Sequence, residues 1–266
     1  LQNKNRLQYH EQPKLRVTAQ GGIGNAEENE LLINYYQLDS CGWGSPFLLV
    51  PEATTVDDAT LEQLINARQE DYYLSHASPL GVPFNNFKSS SSDKQRINRI
   101  SKGRPGSPCY KKFLSFNTEF TDKPICTASR QYQHRKIQQI KNEYADTAIA
   151  NQKIDAVLEK ECLCEGLGSS ALQVHGIEHD YGLKAVAICP GPNLAYFSGV
   201  YSLKQMCSHI YGRINLLNHL NRPHMFINEL KLNIDYWEKH IKSKIPEEQD
   251  ATLIEKYKSN LLKGID

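Results

Sequence analysis

An α/β fold is predicted by three features near the start of the 266-residue chain. Residues 15–19 (LRVTA) read as a short β-branched strand, and the glycine-rich turn Gln20-Gly21-Gly22-Ile23-Gly24 follows it. A helix comes next, with Asn25 as its N-cap, Glu28 at the capping-box position and Leu31, Leu32 and Tyr35 forming an apolar stripe. Residues 40–44 (Ser40-Cys41-Gly42-Trp43-Gly44) then read as a second strand and its glycine turn, ahead of the apolar run Phe47-Leu48-Leu49-Val50. Strand, glycine turn, helix, strand, glycine turn is the order of a parallel α/β unit.

After Pro51 the pattern changes. Residues 57–67 predict a short helix with Leu61, Leu64 and Ile65 inward. Residues 76–87 are rich in Ser, Pro, Gly and Asn and read as loop, the serine run 89–92 reads as an exposed tip or the cap of a helix over 94–100, and 103–109 reads as loop again. Residues 129–161 are strongly helical, with Tyr132, Ile137, Ile140 and Tyr144 among many charges, and 185–189 (AVAIC) predict a buried strand ended by Pro190-Gly191-Pro192. Ser202 caps a helix that turns Leu203, Met206, Ile210, Ile214 and Leu217 inward, and Phe226, Leu230, Ile234, Trp237 and Ile241 mark a further amphipathic helix. The tail from Lys242 is charged and helix-prone. The organisation this suggests is the end of an α/β unit at 1–50, a loop-rich connecting or lid region at 51–128, and a mainly helical α+β region at 129–266.

Composition narrows the function. Thirty-one basic and 30 acidic side chains leave a net charge of +1, which creates neither of the fields that a dedicated nucleic-acid or membrane-surface protein needs. No apolar run approaches the roughly 20 residues that span a bilayer. The mixed-charge start, Leu1 to Lys14, lacks a signal-peptide pattern. Seven cysteines, an odd number at irregular spacing, point to reduced thiols in a cytoplasmic setting. A small-molecule substrate is therefore the expected partner, with a homo-oligomer or a redox partner open.

The two glycine turns carry the most chemistry. A glycine turn at the C-terminal end of a parallel strand lets backbone N–H groups approach a ligand, and the following helix N-terminus adds partial positive charge; both suit a phosphate. Two such turns one strand-helix-strand unit apart fit the shared phosphate site after the last two strands of a (β/α)8 barrel. They do not fit a dinucleotide fingerprint, because Gly22 and Gly24 give G-x-G but position 27 is Glu. The alternative is that the glycines only make tight turns.

Residues 17–24 (VTAQGGIG), a helix, and then 39–50 (DSCGWGSPFLLV) resemble the closing strands of FMN-dependent barrel oxidoreductases, with the nitronate monooxygenase (2-nitropropane dioxygenase) group and the FMN domain of glutamate synthase nearest in pattern. The resemblance covers about 40 residues and extends faintly to Ser78-Pro79-Leu80-Gly81-Val82. It implies that Gln20, Gly21, Gly22 and Gly24 form one half of an FMN phosphate site, and Gly42, Trp43, Gly44 and Ser45 the other, with backbone amides as the main donors and the Ser45 hydroxyl as an extra one. Trp43 departs from the small or aliphatic residue expected there. It also implies that the chain holds the last strands of a barrel that is incomplete here, so that further β/α units and the catalytic groups are expected upstream of Leu1, in keeping with the missing initiator Met.

The later cysteines form a second set. Cys109, Cys126, Cys162, Cys164 and Cys189 each sit beside Gly, Pro, Ser or a basic residue, where thiolate ligands of an iron–sulfur cluster are often found. Cys162-x-Cys164 is a possible ligand pair, but it lacks the spacing of a zinc ribbon. The alternative is buried thiols near turns; Cys207 reads as core. Gly166-Leu167-Gly168-Ser169-Ser170-Ala171 reads either as a small-ligand turn opening a helix or as a helix stop followed by a serine cap. Asn85, Asn86, Arg130 and Asn193 lie in loop-like contexts suited to lining a pocket. His175 and His179 read as a surface pair. Protease, lipase and P-loop signatures are absent. Three classes of function remain: a flavin-dependent oxidoreductase, which the resemblance favours; an iron–sulfur or metal-binding redox module; and a non-catalytic interaction module.

Overall fold

A computed structural model describes residues 14–144, 147–178, 184–243 and 248–265. The first strand β1 (Thr18–Gln20) pairs in parallel with β2 (Ser40–Gly42), in register Thr18 with Ser40, Ala19 with Cys41 and Gln20 with Gly42. The helix between them, α1 (Ala26–Glu30), starts where the sequence places it. Asn25 is extended, and its side chain accepts the Glu28 N–H at 2.9 Å. The Glu28 carboxylate does not close a capping box; it turns into the interior, as described below. A π-helical turn, Leu31–Tyr35, continues the helix and buries Leu32 against Ile23 and Met225.

The apolar run Phe47–Val50 folds as a tight helical turn. Pro46 opens a 3-10 helix, Ser45–Leu49, which drives Leu49 and Val50 fully into the core. A four-residue apolar run carries no periodicity that separates strand from buried turn. Next come α2 (Asp58–Ile65) and an antiparallel hairpin, β3 (Tyr72–Ser75) and β4 (Phe84–Phe87), paired Tyr72 with Phe87 through Ser75 with Phe84. The sequence reading of 76–87 as loop holds only for the connection, where Gly81 takes φ +76°; its last four residues form β4.

Helix α3 (Ser91–Ser101) is capped by Ser90 and α4 (Arg130–Glu143) by Ser129. The long helical stretch predicted from 129 to 161 is two helices, α4 and α5 (Thr147–Leu158). Helix α6 (Leu163–Val174) runs straight through Gly166–Ala171, so that segment is neither a ligand turn nor a helix stop. Glycine is needed at 166 for a different reason: a Cβ there would lie 2.6 Å from the Ala187 Cβ.

The predicted strand at 185–189 is corrected to an irregular segment, buried at 186–188, with no strand partner among the described residues. Val186, Ala187 and Ile188 are buried, but their backbone bonds to other kinds of group. The Val186 N–H donates to the Ser91 hydroxyl at 2.8 Å, its carbonyl accepts from the Ser92 N–H at 3.1 Å, and the Ala187 N–H donates to the Gly166 carbonyl at 3.0 Å.

Helix α7 (Leu203–Ile210) has the predicted Ser202 cap, closed into a capping box by Gln205, but ends before Ile214 and Leu217, with Gly212 at φ +68°. Helices α8 (Met225–Ser243) and α9 (Glu248–Ile265) complete the chain, and the Tyr257 hydroxyl of α9 donates to the Asn233 side chain of α8. The main core joins Leu49 and Val50 to Leu64, Tyr72 and Phe87 and to Ile188, Leu194, Phe197 and Met206, so residues from before 51, from 51–128 and from beyond 129 share it. The described residues form a mixed α/β fold with two two-stranded sheets and do not complete an eight-stranded barrel. None of their helices is long and apolar enough to cross a membrane. His179 and the turn at Asp180–Gly182 lie outside the described residues, as do residues 1–13.

Candidate functional site

Both glycine turns open into one cavity of about 980 Å³. Gln20, Gly21, Gly22, Gly42, Trp43, Gly44 and Ser45 line it, together with Asn85 from β4, Asn193 from the Pro192–Tyr196 turn, and Met225, Phe226, Asn228 and Glu229 from the first turns of α8. The parallel pairing of β1 and β2 is what sets the turns side by side, since each leaves its strand at the same end. Gly21 and Gly22 take φ +97° and +71°, which strain any side-chain-bearing residue. Positions 21 and 44 have no atom within 4 Å of where a Cβ would stand, so the backbone there is open to a ligand.

Gly24 is different. It does not line the cavity, and a Cβ there would lie 2.4 Å from the Arg222 guanidinium carbon. Its N–H donates to Glu28 Oε2 at 2.8 Å. The third glycine of the turn is therefore required by packing within the protein. Gly42 lines the cavity but also faces the Gln20 side chain, 2.6 Å from where its Cβ would stand.

Behind the first turn lies a buried polar network that sequence reasoning missed. Arg222 donates from Nη1 to Glu28 Oε1 at 2.6 Å, from Nη2 to Glu28 Oε2 at 2.9 Å and to the Gly22 carbonyl at 2.7 Å, and from Nε to Asn193 Oδ1 at 2.7 Å. Asn193 in turn donates to the Ile23 carbonyl at 2.8 Å. The His209 Nδ1 accepts from the Leu216 N–H, so its proton sits on Nε2, which donates to the Gly24 carbonyl at 2.9 Å. Glu28 also accepts the Met225 N–H at 2.7 Å, joining the starts of α1 and α8. The turn is thus clamped through Gly22, Ile23 and Gly24 by residues about 170 to 200 positions away. Asn193 stood among the loop residues suited to a pocket. Arg222 carried no local signal, since one arginine before a proline resembles any surface charge.

Two further residues are committed to the framework. The Trp43 indole N–H donates to Asn29 at 3.2 Å, and its ring meets His209 edge to face. The Ser45 hydroxyl accepts the Gly191 N–H at 2.7 Å, so it holds the Pro190–Pro192 turn against the second glycine turn. Among the cavity-lining side chains the one charged group is Glu229; the rest of the polar lining is amides, hydroxyl and backbone. The apolar lining comes from Ile23, Leu32, Trp43, Leu74, Met225, Phe226 and Leu232.

The cysteines separate. Cys109 and Cys126 are buried in one cluster with Ala128. Cys162 and Cys164 open helix α6 instead of forming a turn, and burial pushes both thiols up. Cys162 contacts the Ser107 hydroxyl. Cys189 is exposed, beside the Asn85 backbone. Among the described residues no three His, Cys, Asp or Glu side chains come close enough to hold a metal ion, which removes the support for an iron–sulfur ligand set. Asn86 is also structural, donating to the buried Glu161 carboxylate at 2.9 Å.

No protein-family model matches the chain, and no curated protein matches it. The chain is similar to several solved structures, two of them as follows. One is FabK from Thermotoga maritima, at 16% identity and a TM-score of 0.35, over 84% of this chain and 48% of that one. The other is the enoyl reductase domain of MlnA from the macrolactin biosynthesis cluster of Bacillus amyloliquefaciens, at 18% identity and a TM-score of 0.34, over 87% of this chain and 50% of that one. The chain spans about half the length of each of these structures.

Proposed function

We propose that the cavity between the two glycine turns binds FMN and that the chain is the closing part of a flavin-dependent oxidoreductase of the nitronate monooxygenase-like kind. One observation carries this reading: the turns after two parallel, paired strands share a single cavity, with the backbone bare of side chains at Gly21 and Gly44. Backbone N–H groups of Gly21, Gly22, Gly44 and Ser45 would hold the phosphate. The N-terminus of the 19-residue helix α8 starts at Met225 on the cavity wall and contributes partial positive charge. With no Lys or Arg in the lining, the phosphate would be held by dipoles and amides alone. Trp43, Leu74 and Phe226 supply flat or apolar surface for a ring system, and Asn85, Asn193 and Asn228 offer amides for orientation. A bound flavin would supply the electron transfer, while these residues position it and exclude water. Substrate choice and electron acceptor belong to the whole protein.

Titration of FMN with the purified chain, followed by quenching of flavin fluorescence, tests this. Saturable binding that competes with inorganic phosphate is expected. A chain that leaves FMN fluorescence unchanged at every concentration overturns the reading.

A further inference from the structure

A second cavity, of about 750 Å³, lies away from the glycine turns and plays no part in the proposal above. Cys109 and Cys126 line it. So do three basic side chains, Lys112, Lys123 and Arg130, together with His134, and no carboxylate is among the lining residues. The Arg130 Nε is buried and hydrogen-bonds to nothing among the described residues, which leaves a cationic donor unsatisfied at the cavity wall. Cys109 and Lys112 both hold left-handed backbone conformations, φ +56° and +57°, that non-glycine residues seldom adopt. The loop is thus bent so that residue 109 meets residue 126.

We propose that the Cys109–Cys126 pair is a thiol–disulfide exchange site for a small anionic disulfide, drawn in by Lys112, Lys123 and Arg130. Cys109, 9% exposed against 3% for Cys126, is the attacking sulfur. The neighbouring Cys126 and Ser115 side chains and the Lys112 backbone hold its thiol down, against the opposing effect of burial. Cys126 is pushed up. In the first step the Cys109 thiolate bonds to one sulfur of R–S–S–R while the S–S bond breaks and R–S⁻ leaves. The Cys126 thiol then gives its proton to that R–S⁻ and attacks the Cys109 sulfur. This forms the Cys109–Cys126 disulfide and expels the second R–S⁻. Two electrons pass from the thiol pair to the substrate, which is reduced to one thiol and one thiolate.

The test uses the full chain, reduced, freed of reductant and treated with a chelator under anaerobic conditions. The probe is the dianionic aromatic disulfide 5,5′-dithiobis(2-nitrobenzoate), read by stopped-flow absorbance and by peptide mapping of samples quenched in acid. A fast phase releasing two thiolates is expected, and the map from that phase should show residues 109 and 126 joined. The uncharged 2,2′-dithiodipyridine should lose on the order of tenfold in rate at this pair relative to its rate with free cysteine, because the cavity field no longer concentrates it. In Cys126→Ser the fast phase should fall to one thiolate, with the label retained on Cys109. A map showing exposed Cys189 labelled first while 109 and 126 stay free overturns the proposal. So does stoichiometric iron or zinc in chain purified without chelator and lost in Cys109→Ser. The map of the unmodified chain decides the matter even if the cysteine variants fail to fold.

Discussion

Arg222 and Glu28 form a bidentate ion pair inside the protein, at 2.6 and 2.9 Å, with only 7% and 2% of the two side chains exposed. The pair ties the start of the first helix to the residues just ahead of α8, 194 positions apart. It also fixes the glycine turn, because Arg222 holds the Gly22 carbonyl and Glu28 the Gly24 N–H.

Removing one partner leaves the other charge buried. Arg222→Ala should therefore destabilise the fold by about 3–5 kcal/mol, whereas Arg222→Met paired with Glu28→Gln should recover a large part of that loss. Urea unfolding of the three proteins checks this. Arg222→Ala within about 0.5 kcal/mol of the parent would show that the pair is solvated and contributes little.

The two kinds of glycine should respond oppositely to a methyl group. Gly24→Ala drives a Cβ into the Arg222 guanidinium and should cost about 1–3 kcal/mol by overpacking. Gly44→Ala meets open space at φ −116° and should leave stability within about 0.5 kcal/mol of the parent while weakening FMN binding. Thermal melts and flavin titration on both variants separate the framework glycine from the ligand-facing one.

Gly166→Ala offers a test of the buried segment at 185–188. The added Cβ would approach the Ala187 Cβ at 2.6 Å and the Ala187 nitrogen at 3.0 Å, so the segment must move away from α6. A loss of about 1–3 kcal/mol is expected, with faster hydrogen exchange at the Ala187 amide, whose acceptor is the Gly166 carbonyl. Unchanged exchange at that amide would refute the packing.

Asp57 links acidity to stability. Burial acts to raise its carboxyl, but hydrogen bonds from the Ser170 hydroxyl at 2.6 Å and the Thr60 N–H at 3.0 Å outweigh it, and the net shift is downward. A carboxyl that is more acidic in the folded than in the unfolded state stabilises above its unfolded value and loses that contribution as pH falls through the folded one. Asp57→Ala, which also removes the α2 cap, should cost about 1 kcal/mol at pH 7. The difference from the parent should shrink below about pH 4, the unfolded value. Urea midpoints at several pH values would expose the error if the gap stayed constant.

The sequence by itself determined the local pieces. Asn25, Asp57, Ser90, Ser129 and Ser202 each cap a helix through a side chain reaching a backbone N–H three residues on, an interaction that needs nothing beyond neighbours in the chain. Strand, glycine turn, helix and strand at 18–42 were legible for the same reason: β-branching, positive-φ glycine and helical periodicity are local constraints. Tertiary structure alone decided the rest. Whether 185–189 became a strand depended on partners that the fold did not place beside it, and burial made the run apolar in either case. Gly24 and Gly166 looked like turn or ligand glycines, yet the atoms that require them belong to Arg222 and Ala187, far along the chain. The cysteines, alike in their sequence surroundings, were sorted by packing into a contacting pair, two thiols at a helix start and one exposed residue. Long-range contacts have no period and no spacing, so a chain read residue by residue leaves them unwritten until the elements dock.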